Sequence, residues 1–215
     1  MLPVSKTMIL AAHVIFSAYG FWLPNDPRGS WSDFVRSWEL LKYGPATKIS
    51  ERHSVARRPH DRALRASAKR ALTYPPVIFN GRQGAAITYG FADVVRRTGC
   101  VIHACAIMPD HTHLVIARHR YPIQQVANLL KGGATTMMRK HNLDPFKNFS
   151  GAPQGRATQR APSPWSHRFW KVWLDSDADI QRSINYVNEN PIKHGLRKRQ
   201  SWNFITPYET PTSDP

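Results

Sequence analysis

Apolar and polar positions follow one another along this chain in segments, and the period of the pattern changes from segment to segment. Residues 9–16 are apolar or β-branched around a single His13, and Tyr19-Gly20 and Pro24-Asn25-Asp26-Pro27 then punctuate the chain, which predicts a first strand followed by a loop. Over 85–97, Ile87, Phe91, Val94 and Val95 return near helical spacing and Gly99 supplies the stop. Residues 100–108 and 114–117 are short apolar runs joined at Pro109-Asp110, the pattern of a hairpin. Pro122 opens an amphipathic helix carrying Ile123, Val126, Leu130 and Met137. Residues 165–174 return to strand-like aromatic and β-branched positions, and Asp175 or Ser176 caps a last helix running to Pro191. The order of elements predicts an α+β fold, a ferredoxin-like antiparallel sheet with helices packed on one face.

Three stretches break this rhythm. Residues 21–80 read as an insertion: Trp22, Trp31 and Trp38 lie among Pro, Gly and Ser, and such large apolar groups are expected to pack back onto the body. Within it, 51–72 is Ala-rich and studded with Arg52, Arg57, Arg58, Arg62, Arg65, Lys69 and Arg70, either a surface for a polyanion or a solvated helix face. Residues 142–164 form a polar, cationic loop, and the tail from about 200 is irregular. No internal repeat is visible, and 215 residues suit one domain carrying that insertion.

Charge narrows the class of partner. Thirty Lys and Arg against fourteen Asp and Glu give a formal net charge of +16, a field that attracts nucleic acid first and anionic surfaces in general. Two cysteines, Cys100 and Cys105, form neither a disulfide framework nor a CxxC knuckle, which suits a reducing cytoplasm. Residues 8–18 follow Lys6 and superficially resemble a short secretory signal, but His13 stands in their middle and no clean small-residue cleavage site follows. No apolar run reaches the ~20 residues a membrane helix needs. A soluble, cytoplasmic, nucleoid-associated protein is the expectation.

Candidate chemistry sits in two places. His111 and His113 are two apart at the start of an apolar strand, so both imidazoles leave one face and can reach one metal ion. Such a pair is by itself commonplace in a chain with ten histidines, and it needs a third ligand and a nucleophile. On the last helix, at roughly 100° per residue, Ile180, Ile184 and Val187 share a stripe while Tyr186 and Asn190 lie together about a quarter turn away. A phenol and an amide oxygen are thereby offered one turn apart. Read alone, without His111 and His113, Tyr186 is better taken as a boundary tyrosine that packs its ring and wets its hydroxyl.

The stretch IMPDHTHLVI at 107–116, followed by YVNENPIKHGL at 186–196, resembles the REP-associated tyrosine transposases and related insertion-sequence transposases of the HUH nuclease superfamily. That family pairs a Met-Pro-Asn/Asp-His-x-His strand with a downstream Tyr-x-x-x-Asn-Pro helix end. The resemblance covers about 81–197 and the first strand, and YGFWLPNDPRGSWSDF at 19–34 is similar to the opening of one subgroup. It implies His111, His113 and Asn190 as metal ligands, Mg2+ or Mn2+ as the ion, and Tyr186 as a nucleophile that cuts and rejoins single-stranded DNA through a 5′-phosphotyrosine. Two departures stand out: Thr112 occupies a place usually held by a bulky apolar residue, and Asn190 replaces a frequent Gln, which demands a closer helix. No phosphate-binding glycine loop is present, consistent with a reaction that exchanges one phosphoester for another and needs no nucleotide cofactor.

The expected partner is single-stranded DNA with a hairpin beside the cut site. Lys131, Arg139, Lys140, Lys193, Arg197 and Lys198, with Arg199 and the basic run 156–168, are the candidate DNA contacts. Trp165, Trp170 and Trp173 are either base-stacking faces or core. Relatives include both homodimers that exchange tyrosine helices and monomers. Three other readings remain open: a non-catalytic, domesticated hairpin-binding descendant of a transposase, a replication initiator or relaxase, and a small metallohydrolase built on the histidine pair.

Overall fold

The computed structural model describes residues 8–24, 26, 35, 38–46, 59, 61–148, 162–196 and 198–210. Along the chain run β1 (Ala11–Ala18), α1 (Trp38–Leu41), α2 (Arg62–Arg70), α3 (Gly81–Thr98), β2 (Ile102–Ile107), β3 (His111–Ala117), α4 (Ile123–Lys140), β4 (Trp165–Leu174) and α5 (Asp177–Lys193). The four strands form one sheet in the order β2-β3-β1-β4, and every neighbouring pair is antiparallel. This is the ferredoxin-like order: each of the crossovers through α3 and α4 returns to the sheet beyond a neighbouring strand.

Local chemistry sets the boundaries. Asn80 and Gln83 form a capping box that starts α3 four residues before its apolar period begins, and Gly99 ends it in the left-handed conformation at φ 69°. Ser176 caps α5 by accepting from the Asp179 N–H. Pro191 lies inside the last turn of α5, so the helix reaches Lys193, two residues beyond the expected end. β3 begins at His111 instead of 114, which puts both histidines within the strand ladder.

The sheet is covered on both faces. Alternation in β1 sends Ala12, Val14, Phe16 and Ala18 into the larger core beneath α3 and α4. Phe16 packs edge-on to Phe91 and Trp165, with ring centroids 5.9 and 5.2 Å away, and burying such a ring is worth ~2–3 kcal/mol. α3 and α4 meet at bare backbone: a Cβ on Gly90 would lie 2.5 Å from the Ala134 nitrogen, and one on Gly133 would lie 2.8 Å from the Gly90 carbonyl oxygen. The opposite face belongs to α5, whose Ile180, Ile184 and Val187 close over Ala11, Ala104, Ala106, Val115 and Leu174. The expected α+β class and antiparallel sheet are present; the helices, however, are divided between the two faces, because every strand of the hairpin carries apolar residues on both sides.

The described part of the 21–80 stretch has a small core of its own, Leu23, Leu40 and Ala68, with Val35, Tyr43, Ala71 and Leu72 around it. Arg65 of α2 pairs with the fully buried Asp26 at 3.0 Å, so this arginine of the basic run ties the insertion together. Trp31, Arg52, Arg57 and Arg58 lie outside the described residues. The tail, expected to be irregular, is nonetheless docked along β2: Gln200 brackets the Ile107 backbone with two 2.7 Å hydrogen bonds, Trp202 Nε1 donates to the Cys105 carbonyl, and Thr206 N donates to that of Ile102. It shields an edge that would otherwise expose unpaired backbone groups.

Candidate active site

The α5-covered face of the sheet holds the chemistry. In the β1–β3 register Ile15 lies opposite His113 and Ser17 opposite His111, so both imidazoles point to the side from which α5 approaches. Their ring centroids are 4.9 Å apart. Tyr186 comes down from α5 with its ring 5.6 Å from that of His113. One turn past Asn190, His194 places its ring 5.7 Å from that of His111. Positions 186, 190 and 194 share one helix face, so Asn190 stands between two residues that each touch one imidazole.

Burial sorts these groups by role. His111 and His113 are 8% and 4% exposed and Asn190 only 1%, whereas Tyr186 is 42% exposed. The Asn190 Oδ1 is buried and has no hydrogen-bond partner among the described residues. A lone acceptor in a dry site costs about 1–3 kcal/mol unless something donates to or coordinates it. The expected quarter-turn separation places Asn190 off the core stripe; it is instead buried beside Val187 and Pro191. The alanines at 11, 104 and 106 leave room for a helix that sits low on the sheet, which suits a short amide.

Hydrogen bonds orient the histidine pair. His111 Nδ1 donates to the Asp110 carboxylate at 2.7 Å, which turns Nε2 away from that contact and leaves it able to ligate. His113 Nδ1 lies 3.1 Å from Nε2 of His13 on β1. Burial, and then the neighbouring charges of His111, His13 and His194, hold the His113 imidazole well below its ordinary pKa, so it stays neutral and able to ligate. Among the described residues no three His, Cys, Asp or Glu side chains gather as metal ligands. The third donor here is an amide oxygen; two imidazoles, one carbonyl-type oxygen and open positions fit a six-coordinate divalent cation that also takes phosphate oxygens.

The candidate DNA contacts divide. Lys131 is 7% exposed. Its ammonium donates to the carbonyls of Ser166, His167 and Arg168 at 2.9–3.4 Å and lies near the rings of Phe16 and Phe169. It is a clamp between α4 and β4, not a surface cation, and burial lowers its pKa to about 8. Arg139 is exposed but engaged with Asp144 at 2.7 Å. Lys140 and Lys198 are exposed. Lys193 pairs with Glu189 at 2.8 Å and reaches over the Tyr186 ring. Arg197 and residues 156–161 lie outside the described residues. Of the tryptophans, Trp165 is core, Trp173 is exposed, and Trp170 packs on His13.

Sequence reasoning passed over His13, Asp110, His194 and Phe21, all of which border the pair. Phe21 rests 5.2 Å from His111. The position of His194, eight residues beyond Tyr186, was a readable signal; His13 required the strand register.

The family described as Transposase IS200 like matches residues 73–190, more than half of the chain and a span that includes His111, His113, Tyr186 and Asn190. The chain belongs to the IS200-like transposase family. It is also 29% identical over 94 residues to a Haemophilus influenzae protein described as a REP-associated tyrosine transposase, an alignment covering 43% of this chain. The aligned part spans about half (49%) of that relative's length. Among solved structures, a REP-associated tyrosine transposase bound to a REP hairpin aligns over 91% of this chain and 74% of its own, at 12% identity and a TM-score of 0.44. A Deinococcus radiodurans R1 protein described as a transposase aligns over 86% and 95% respectively, at 14% identity and a TM-score of 0.36. No helix among the described residues of this family member is long and apolar enough to cross a membrane.

Proposed function

We propose that this transposase-family chain is a metal-dependent single-strand DNA endonuclease and strand transferase that works through a 5′-phosphotyrosine at Tyr186. The observation that carries the reading is the meeting of an exposed phenol with the buried His113 imidazole, which is itself paired with that of His111, beside a buried amide oxygen that nothing among the described residues satisfies.

His111 and His113 through Nε2 and Asn190 through Oδ1 would hold Mg2+ or Mn2+, which supplies positive charge against the oxygens of the scissile phosphate. The chain's own residues do the rest. Tyr186, fixed by α5 and braced by the His113 ring, presents its hydroxyl for in-line attack on phosphorus. The phenol loses its proton to the water it already faces, the bond from phosphorus to the tyrosine oxygen forms, and the bond from phosphorus to the 3′-oxygen breaks. That 3′-oxygen takes up a proton and leaves as a hydroxyl. Joining is the same exchange in reverse, with a 3′-hydroxyl displacing Tyr186. Lys193, which reaches over the Tyr186 ring, and the exposed Lys140 and Lys198 are suited to the strand's phosphates.

The DNA partner is single-stranded DNA carrying a hairpin, in keeping with the formal charge of +16 and with the Haemophilus influenzae relative's description as REP-associated. Incubation of the protein with such a hairpin and Mn2+ tests the reading: Tyr186→Phe should retain hairpin binding and lose all covalent capture. A chain that binds hairpins yet forms no adduct under any divalent ion is a domesticated binding protein instead.

A further inference from the structure

His13 takes no part in the mechanism above, yet it touches three of the groups around it. The β1 register sets it opposite Val115 and Val172, on the face beneath α5. Its ring is 7% exposed. It lies 5.4 Å from the His113 ring at an interplanar angle of 28°, 5.8 Å from Tyr186 and 5.5 Å from Trp170. Valine or leucine would fill such a place in a strand without taking a polar ring out of water. The imidazole does so with Nε2 directed at His113 Nδ1, 3.1 Å away.

That contact has two possible directions. Both rings are buried and their nitrogens stand 3.1 Å apart, so one donates and the other accepts a single hydrogen along the contact. If His13 donates, the His113 hydrogen sits on Nε2 and that ring has no lone pair left for a ligand. If His113 donates from Nδ1, its Nε2 lone pair is free. His111, two residues away, already follows the second scheme, because the Asp110 carboxylate at its Nδ1 can only accept. A free imidazole side chain favours hydrogen on Nε2, so His113 needs an acceptor at Nδ1 to adopt the opposite tautomer, and His13, to be that acceptor through Nε2, carries its own hydrogen on Nδ1.

We propose that His13 is a positioning residue: by accepting the His113 Nδ1–H it fixes the tautomer and plane of that ring, readies Nε2 for the divalent cation, and packs against the edge of the Tyr186 ring that also meets His113. The proposal rests on the metal reading of the site, and it assigns β1, which lies outside the 73–190 span matched by the family, a direct part in the chemistry.

The test compares the wild-type chain with His13→Phe, which keeps a ring and removes the acceptor, and His13→Gln, which places an amide oxygen near the former Nε2. In metal-free wild-type protein, side-chain 1H–15N correlation spectra, with His113 assigned through a His113→Asn sample, should show hydrogen on Nδ1. In His13→Phe the hydrogen should move to Nε2. Mn2+ affinity, read from the free-ion paramagnetic resonance signal, should fall about 10–100-fold in His13→Phe and recover largely in His13→Gln. Hairpin binding in EDTA should be equal in all three. Hydrogen on Nε2 in the wild-type chain, or a folded His13→Phe with wild-type Mn2+ affinity, would overturn the assignment. Should His13→Phe fail to fold, the wild-type tautomer and His13→Gln decide. A wild-type chain that binds no Mn2+ contradicts the metal reading, whereas the tautomer still reports on His13 separately.

Discussion

His113 on β3 and Tyr186 on α5 meet ring to ring, with centroids 5.6 Å apart and planes at 70°. One belongs to the hairpin in the middle of the chain and the other to its last helix, so the site exists only when α5 docks on the sheet.

Asn190 carries a buried oxygen unsatisfied among the described residues, and its stability cost and its use are opposed. Replacing it by leucine, similar in volume and without polar atoms, should leave the metal-free protein as stable as before or up to about 2 kcal/mol more stable. The same change should abolish Mn2+-dependent capture of DNA. Denaturant unfolding in EDTA paired with an adduct assay reads both effects, and a loss of stability without a loss of capture would refute the assigned role.

Thr112 faces away from the site, fully buried, with its hydroxyl unpaired among the described residues. Thr112→Val should therefore raise stability by about 1 kcal/mol, visible as a higher denaturant midpoint at unchanged slope, while cleavage is unaltered.

Lys131 and Lys140 look alike in sequence and should behave oppositely. Lys131→Met strips three β4 carbonyls of their donor and should cost about 2–3 kcal/mol of stability. Lys140→Ala should leave stability within about 0.5 kcal/mol and, if this exposed ammonium meets a phosphate, lower the slope of log affinity against log salt by about 1. Thermal unfolding and hairpin titrations at several salt concentrations separate the two.

Acid should unfold the metal-free protein through its buried histidines. His13 is held at about 4 and His113 well below its ordinary pKa, both chiefly by burial. The unfolded chain, with histidine pKa near 6.5, therefore binds more protons than the folded one below that pH. Stability is fully present above about pH 6.5 and falls as pH drops toward 4, with His13 alone contributing roughly 3 kcal/mol. Unfolding free energies in EDTA between pH 7 and 4 should show that decline, and His13→Phe should flatten it.

Much of this site was legible before any coordinates. The two-residue period of strands put His111 and His113 on one face, and the helical period put Tyr186 near Asn190, because both signals are local. The order of elements likewise gave the antiparallel sheet. What the sequence hid depends on partners distant along the chain. His13 reads as one polar interruption in an apolar strand until the β1–β3 register sets it beside His113. Lys131 reads as a free cation on an amphipathic helix until β4 turns three carbonyls toward it. The apolar stripe of α5 says that the helix packs, and the two-sided hairpin decides on which face. The docked tail escaped because its hydrogen bonds run through Gln200 and Trp202 to the β2 backbone, which leaves no periodic trace.

The most direct measurement of the central claim is a denaturing gel, with mass analysis, of the protein incubated with a hairpin-bearing single-stranded DNA and Mn2+ or Mg2+. The account predicts a metal-dependent species heavier by the DNA fragment 3′ of the cut, linked through phosphate to Tyr186 and absent in Tyr186→Phe and in EDTA. Cleavage that persists in Tyr186→Phe, or an adduct mapped to another residue, would contradict it.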